Sequence, residues 1–243
     1  MITLYKKEIR TFLSSLIGYV VLIVFLLING LFLWVFQGDF NILDFGYANM
    51  DGLFMIAPFV FLFLIPAITM RSFSEEKRVG TIEMILTKPL TDFQIVMAKY
   101  LAGLTLVVFS LLPTLIYMFS VYRLGLPPGN MDMGGTWGSY IGLLFLGASF
   151  VAIGLFSSTL TDNQIVSFII GVFLSGFLYI GFEFIYSLDW LGNLDLLIKS
   201  LGINSHYTSM SRGVIDTRDV IYFLSVIVLF IFLAKHSLER RKW

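Results

Sequence analysis

The apolar positions of this chain fall into long unbroken blocks, and one polar block between them stands out. Residues 17–36, 53–70, 97–122, 140–160, 165–186 and 220–233, the last extending toward 237, are six runs of nearly continuous Leu, Ile, Val, Phe, Gly and Ala. A bilayer core of about 30 Å takes roughly twenty such residues as a helix, so the pattern predicts six crossings. The sixth run is the shortest and its end the least defined. Ahead of the first run, Ile2, Tyr5, Ile9, Phe12, Leu13 and Leu16 recur at helical spacing, with Lys6, Lys7, Arg10 and Ser14 between them. The continuous stripe predicts an amphipathic helix over residues 1–16 lying on a membrane surface and turning into the first span; a plain positively charged anchor for that span is the alternative. No cleavable signal is evident: the first apolar run is too long, and no small-x-small site closes it.

The polar block is Arg71 to Gln94. Two capping boxes are legible in it, Ser72 with Glu75 and Thr91 with Gln94. Gly80 ends a first short helix, Thr81 opens a second, and Ile82, Ile85 and Leu86 fall on one face of that second helix. Lys88-Pro89 stops it, because a residue before proline is displaced from helical geometry. A rigid helix with an apolar edge and charged ends, set between two spans, suits presentation to a partner. A hairpin lying on its own membrane surface would show the same local pattern.

Composition agrees with the blocks. The 243 residues are 58% apolar and 13% charged, with mean hydropathy +0.89, against roughly 25% charged in soluble domains. There is no cysteine, hence no disulfide framework or thiolate chemistry. The net charge is zero, but its distribution is not even. Lys6, Lys7, Arg10, Arg71, Lys77, Arg78, Lys88, Lys99, Lys235, Arg240, Arg241 and Lys242 share one side of a six-span topology, and only Arg123, Lys199, Arg212 and Arg218 fall on the other. The positive-inside rule then places both termini and the polar block in the cytoplasm.

Chemistry of its own is scarce. No phosphate-cradling Gly-x-x-x-x-Gly-Lys-Ser/Thr occurs. His206 and His236 have no ligand-like spacing, so neither metal nor cofactor is expected. Glu183 and Arg123, near the outer ends of the fifth and third spans, are the possible intramembrane charges. They could pair, or each could extend to the interface. Pro58, Pro66 and Pro113 interrupt spans and are gating candidates, although a static kink explains them equally. The small residues Gly142, Gly147, Ala148, Ala152, Gly154, Gly171, Ser175 and Gly176 allow close packing of the fourth and fifth spans. Residues 188–201 form an apolar segment too short to cross, either dipping into the outer interface or lying on it.

The run Arg71-x-Phe73-x-Glu75-Glu76-Lys77-x-x-Gly80-Thr81-x-Glu83-x-x-Leu86-x-x-Pro89-Leu90-Thr91, with Ile95, Val96, Lys99 and Tyr100 after it, resembles the signature of the type-2 ABC transporter permeases. The resemblance covers the whole chain. It implies an all-α membrane protein of six transmembrane helices, with an N-terminal amphipathic connecting helix at 1–16. A single permease domain would follow at 17–243, containing a cytoplasmic coupling loop at 71–96 and an external loop at 187–219 with a membrane-dipping segment. It also implies that ATP and Mg are bound by a separate ATPase subunit, contacted by Glu75, Glu76, Lys77, Arg78, Thr81, Ile82, Glu83, Ile85 and Leu86. The stretches 41–47, 63–73 and 160–166 are most similar to the gliding-motility permeases of Bacteroidetes (GldF-like). This implies an exporter of the inner membrane working with a GldA-like ATPase and a GldG-like second membrane subunit, or with a second copy of itself. A non-transporting scaffold and an ATP-independent transporter are the competing expectations, and the sparsity of deep charges speaks against the latter.

Overall fold

The computed structural model describes residues 1–44, 46–87, 89–188 and 195–240, and among these it is helical without strands. Lys88, Trp190, Leu191, Leu194, Arg241 and Lys242 lie outside the described residues, as do the side chains of Ile85 and Leu86.

The chain begins with α1 (Ile2–Ser14) and α2 (Leu16–Trp34), which meet at a 65° bend. Ser15 makes the bend, its hydroxyl accepting the Gly18 N–H as a helix N-cap does. Gly18 is needed there because a Cβ would stand 2.3 Å from the Phe12 carbonyl oxygen. The second span is α3 (Asp51–Thr69), followed by α4 (Arg71–Val79). They form one helical rod over Asp51–Val79, apolar along α3 and polar along α4. The Ser72–Glu75 capping box therefore does not form. Met70 is already helical, so the N–H groups that a cap would satisfy are bonded within the rod. Gly80, left-handed at φ 76°, ends it, and α5 (Ile82–Leu86) follows.

The next span starts at the expected Thr91–Gln94 capping box as α6 (Asp92–Leu111), breaks at Pro113, and continues as α7 (Thr114–Leu124). Pro58 and Pro66, by contrast, sit inside unbroken α3. Then come α8 (Met133–Leu160) and α9 (Gln164–Gly176). A single π turn (Phe177–Gly181) leads from α9 into α10 (Phe182–Ser187). Two short helices, α11 (Asp195–Leu201) and α12 (Ile203–Met210), precede α13 (Thr217–Glu239). The last span is longer than its apolar run, because the Asp216 cap starts it early and polar residues extend both ends.

Among the described residues five helices are long and apolar enough to cross a membrane, and six if the bent α1–α2 pair counts as one span. The centre is α8, 78% of whose apolar stretch is buried, against 22% for the α9 span. Its small residues let neighbours close in. A Cβ on Gly142 would stand 2.6 Å from Met210, on Gly147 2.7 Å from Val107, and on Gly154 2.1 Å from the Thr69 hydroxyl. Span serines satisfy their own helix, as when Ser157 and Ser158 donate to the Gly154 and Leu155 carbonyls. Phe25 stacks on Phe61 at 4.8 Å to join α2 to α3.

Glu183 and Arg123 do not pair. Glu183 accepts from the Asn204 amide, and the Arg123 guanidinium lies over the Phe119 ring at 5.2 Å. The segment before α13 is anchored rather than loose. In α12, Ile203, Tyr207 and Met210 are buried, Tyr207 donates to the Phe54 carbonyl at 2.6 Å, and His206 meets the Asp219 carboxylate at 2.7 Å.

The close approach at Gly154 gives a test. Gly154→Val forces overpacking against α3, with an expected loss of about 1–3 kcal/mol in unfolding of the detergent-solubilised protein. An unchanged unfolding midpoint would contradict the α3–α8 contact.

Candidate functional site

The densest group of charges lies at the end of the bundle that carries α1, α4 and the start of α6. Lys99 is about two turns into α6 among apolar neighbours, and its side chain is 1% exposed. A lysine ammonium has three donors, and each has an acceptor: Glu76 Oε1 at 2.9 Å, Glu8 Oε1 at 3.1 Å and the Ser72 carbonyl at 2.7 Å. The Phe73 ring lies 5.0 Å below it. Ser72 and Glu76 reach the same ammonium because they are four residues apart on one face of α4. Lys7 adds a second cation on the exposed side, 3.4 Å from both Glu8 and Glu76. Two carboxylates and two ammonium groups therefore join α1, α4 and α6.

Such a group is costly to bury and costly to disrupt. Desolvation takes several kcal/mol per ion, and removing one member leaves an uncompensated charge. Glu76 Oε2 and Arg71 Nε have no hydrogen-bond partner. Arg71 stands 3.7 Å from Glu75, too far for a hydrogen bond. A recess of about 220 Å³ between α1 and α4 opens beside these atoms.

A second tie runs from α4 to the end of α8. Lys77 donates to the Thr159 carbonyl, one of the carbonyls a helix C-terminus leaves unsatisfied. Ser237 of α13 donates to the same oxygen at 3.2 Å. Thus α1, α4, the start of α6 and the far ends of α8 and α13 gather at one end of the molecule, and the basic-rich segments with them.

The residues expected to meet a partner divide into two groups. Glu76 and Lys77 are turned inward as just described, and Ile82 is buried in the core, so the apolar edge of α5 is used at least in part by the protein itself. Glu75 is half exposed beside Arg71, and Thr81 is half-buried. Arg78 and Glu83 are exposed. Val79 and Met84, absent from the expected set, are exposed apolar side chains at 62% and 68% next to them. In α1, Leu4 and Glu8 are buried, and Tyr5 bonds the Thr105 hydroxyl at 2.8 Å. That face packs on α6, while Lys6 and Arg10 point away. Among the described residues no His, Asp and Glu cluster suits a metal ion.

The ion cluster escaped sequence reading because its members are 91 and 23 positions apart. A signal for it does exist: Lys99 is an ionisable residue inside an apolar run, which in a membrane protein marks a partnered position.

A family model described as "ABC-2 family transporter protein" matches residues 43–234 of the chain. No curated protein matches it.

The cluster predicts a specific mutational pattern. Lys99→Met removes the buried cation, leaves Glu8 and Glu76 with only the exposed Lys7 between them, and costs about 3–5 kcal/mol. The triple variant Lys99→Met, Glu8→Gln, Glu76→Gln recovers most of that loss. Thermal unfolding in one detergent measures both; a single variant as stable as the parent would contradict the assignment.

Proposed function

The chain belongs to the ABC-2 transporter family, a transmembrane component and not the ATP-binding subunit, and from that membership we propose how it couples to its ATPase. The ATPase, with ATP and Mg, docks on the exposed surface formed by Arg78, Val79, Glu83, Met84 and Glu75, with the outward face of α1 as a second contact. Glu83, an acid in the first turn of α5, where the helix dipole favours negative charge, is the central residue of this surface. Thr81 and Ile82 seat α5 on the bundle, and the Ile85–Leu86 turn completes it. Glu76 and Lys77 act behind the surface, holding α4 in place rather than touching the ATPase.

One observation carries the reading: the docking surface is made by the last turn of the helical rod that forms the second span, Asp51–Val79, and by α5, which follows it after Gly80. A push on its tip is a push along α3. The Lys99 cluster shares that displacement with α1 and α6, and Lys77 shares it with α8. The break at Pro113 and the prolines within α3 are the places where such a load would change the bundle. Exposed apolar faces on α2 (Tyr19, Ile23, Leu27) and α9 (Ile165, Ile169, Phe173) suit a second membrane subunit, with the transport path between the two. The gathering of basic-rich segments at the docking end supports cytoplasmic termini in a bacterial inner membrane. Export linked to gliding motility, with GldA-like and GldG-like partners, is our reading of residues 41–47, 63–73 and 160–166 alone.

Purification from the native membrane in mild detergent tests this. The parent chain is expected to bring down an ATPase in stoichiometric amount, and Glu83→Arg to reduce its recovery about tenfold, equivalent to roughly 1.4 kcal/mol, with membrane insertion unchanged. Equal recovery would contradict the docking surface, and co-purifying proteins unrelated to GldA and GldG would contradict the motility assignment.

A further inference from the structure

At the end opposite the Lys99 cluster, α3, the π turn with α10, and α12 enclose a pocket of about 560 Å³. Small-molecule sites span about 300–1,000 Å³. The floor of this one is aromatic and fixed. Tyr179 and Tyr207 are buried, with their rings 6.3 Å apart, and Tyr207 is tied to the α3 backbone at Phe54. Tyr179 lies within the π turn, and single π turns are frequent at functional sites.

The rim carries both signs of charge. Asp51 and Glu183 supply carboxylates and Arg212 a guanidinium. These charges do not neutralise one another. Glu183 is bonded to Asn204 and Asp51 to Asn49, while the Arg212 side chain has no hydrogen-bond or ion-pair partner among the described residues. A smaller recess of about 180 Å³ continues past Glu183 and Asn204 to Lys199. On the remaining side the lining is apolar and open, with Met55 60% and Phe59 52% exposed on the flank of a span that faces the bilayer or a second subunit.

We propose that this pocket binds a zwitterionic amphiphile, one whose head carries a phosphate and a primary ammonium group, as in a phosphoethanolamine lipid. The phosphate meets Arg212, which offers the planar donor fork suited to phosphate oxygens. The ammonium meets Glu183 and Asp51, and the acyl chain leaves across Phe59 and Met55. A purely anionic head would bring its charge against two carboxylates, and an uncharged head would leave Arg212 without a partner. The site is complete within one chain and requires neither an ATPase nor transport.

Native mass spectrometry of the full chain in mild detergent tests the proposal, with four probes: lysophosphatidylethanolamine, lysophosphatidylglycerol, monoacylglycerol and the tail-less glycerophosphoethanolamine. The first is expected to bind saturably, one per chain, about tenfold or more tighter than each of the others. Arg212→Gln and Glu183→Gln are each expected to weaken it about tenfold, the usual scale for a lost charge-assisted contact. Both side chains are exposed, so the unfolding midpoint of either variant should stay at the parent value. Equal binding of the ethanolamine and glycerol lipids would overturn the zwitterionic class. Binding of the head alone as tightly as the lipid would overturn the tail seat, and parent-like affinity in Arg212→Gln would overturn the site.

Discussion

A single buried ammonium holds one end of this molecule together. Lys99 lies where water does not reach, and a charge there is tolerable only with every donor satisfied. Its three acceptors come from two other segments: the helix at the start of the chain, and the continuation of the second span beyond the apolar block. Each segment also buries an apolar side chain, Leu4 on α1 and Phe73 on α4, beside that charge. Charge and hydrogen bonding therefore add to packing here, and Lys99 is the residue that ties both segments to α6.

The two ends of the bundle are built differently. At the Lys99 end, ionic contacts and a shared carbonyl at Thr159 connect α1, α4, α6, α8 and α13. Such bonds make a stiff platform, suited to receiving force from outside. At the opposite end, short helices sit on the spans through aromatic contacts, with Tyr207 bonded to Phe54 and His206 to Asp219, and pockets remain between them. In the middle, glycines of α8 allow neighbours to approach until backbone and side chains touch. A close-packed centre transmits displacement instead of absorbing it, which suits the coupling proposed above.

Much of this was legible along the chain, because each readable feature is local. Spans follow from apolar length, the α1–α2 turn from the end of an amphipathic stripe, and the start of α6 from the spacing of Thr91 and Gln94. The failures are of two kinds. Ser72 and Glu75 have the spacing of a cap but sit inside a helix that had already begun, so the local signal had no unsatisfied groups to act on. Glu76 reads as one more charge in a polar loop, and Glu8 as one more on a surface helix. Their burial depends on Lys99, distant in sequence, and no periodicity encodes that pairing. Ile82 was readable as apolar, but whether it would face a partner or the protein's own core is a tertiary question. The exposed Met84 shows that α5 offers a different edge.

The most direct test of the central claim is hydrogen exchange of the α1 and α4 backbone amides in lipid nanodiscs, comparing the parent with Lys99→Met. If the buried ammonium joins these helices to α6, both are protected in the parent, and both lose protection together in the variant while α8 keeps its own. Unchanged protection, or loss in only one of the two helices, would show that they are held independently, and the single-clamp account of force transfer would fail.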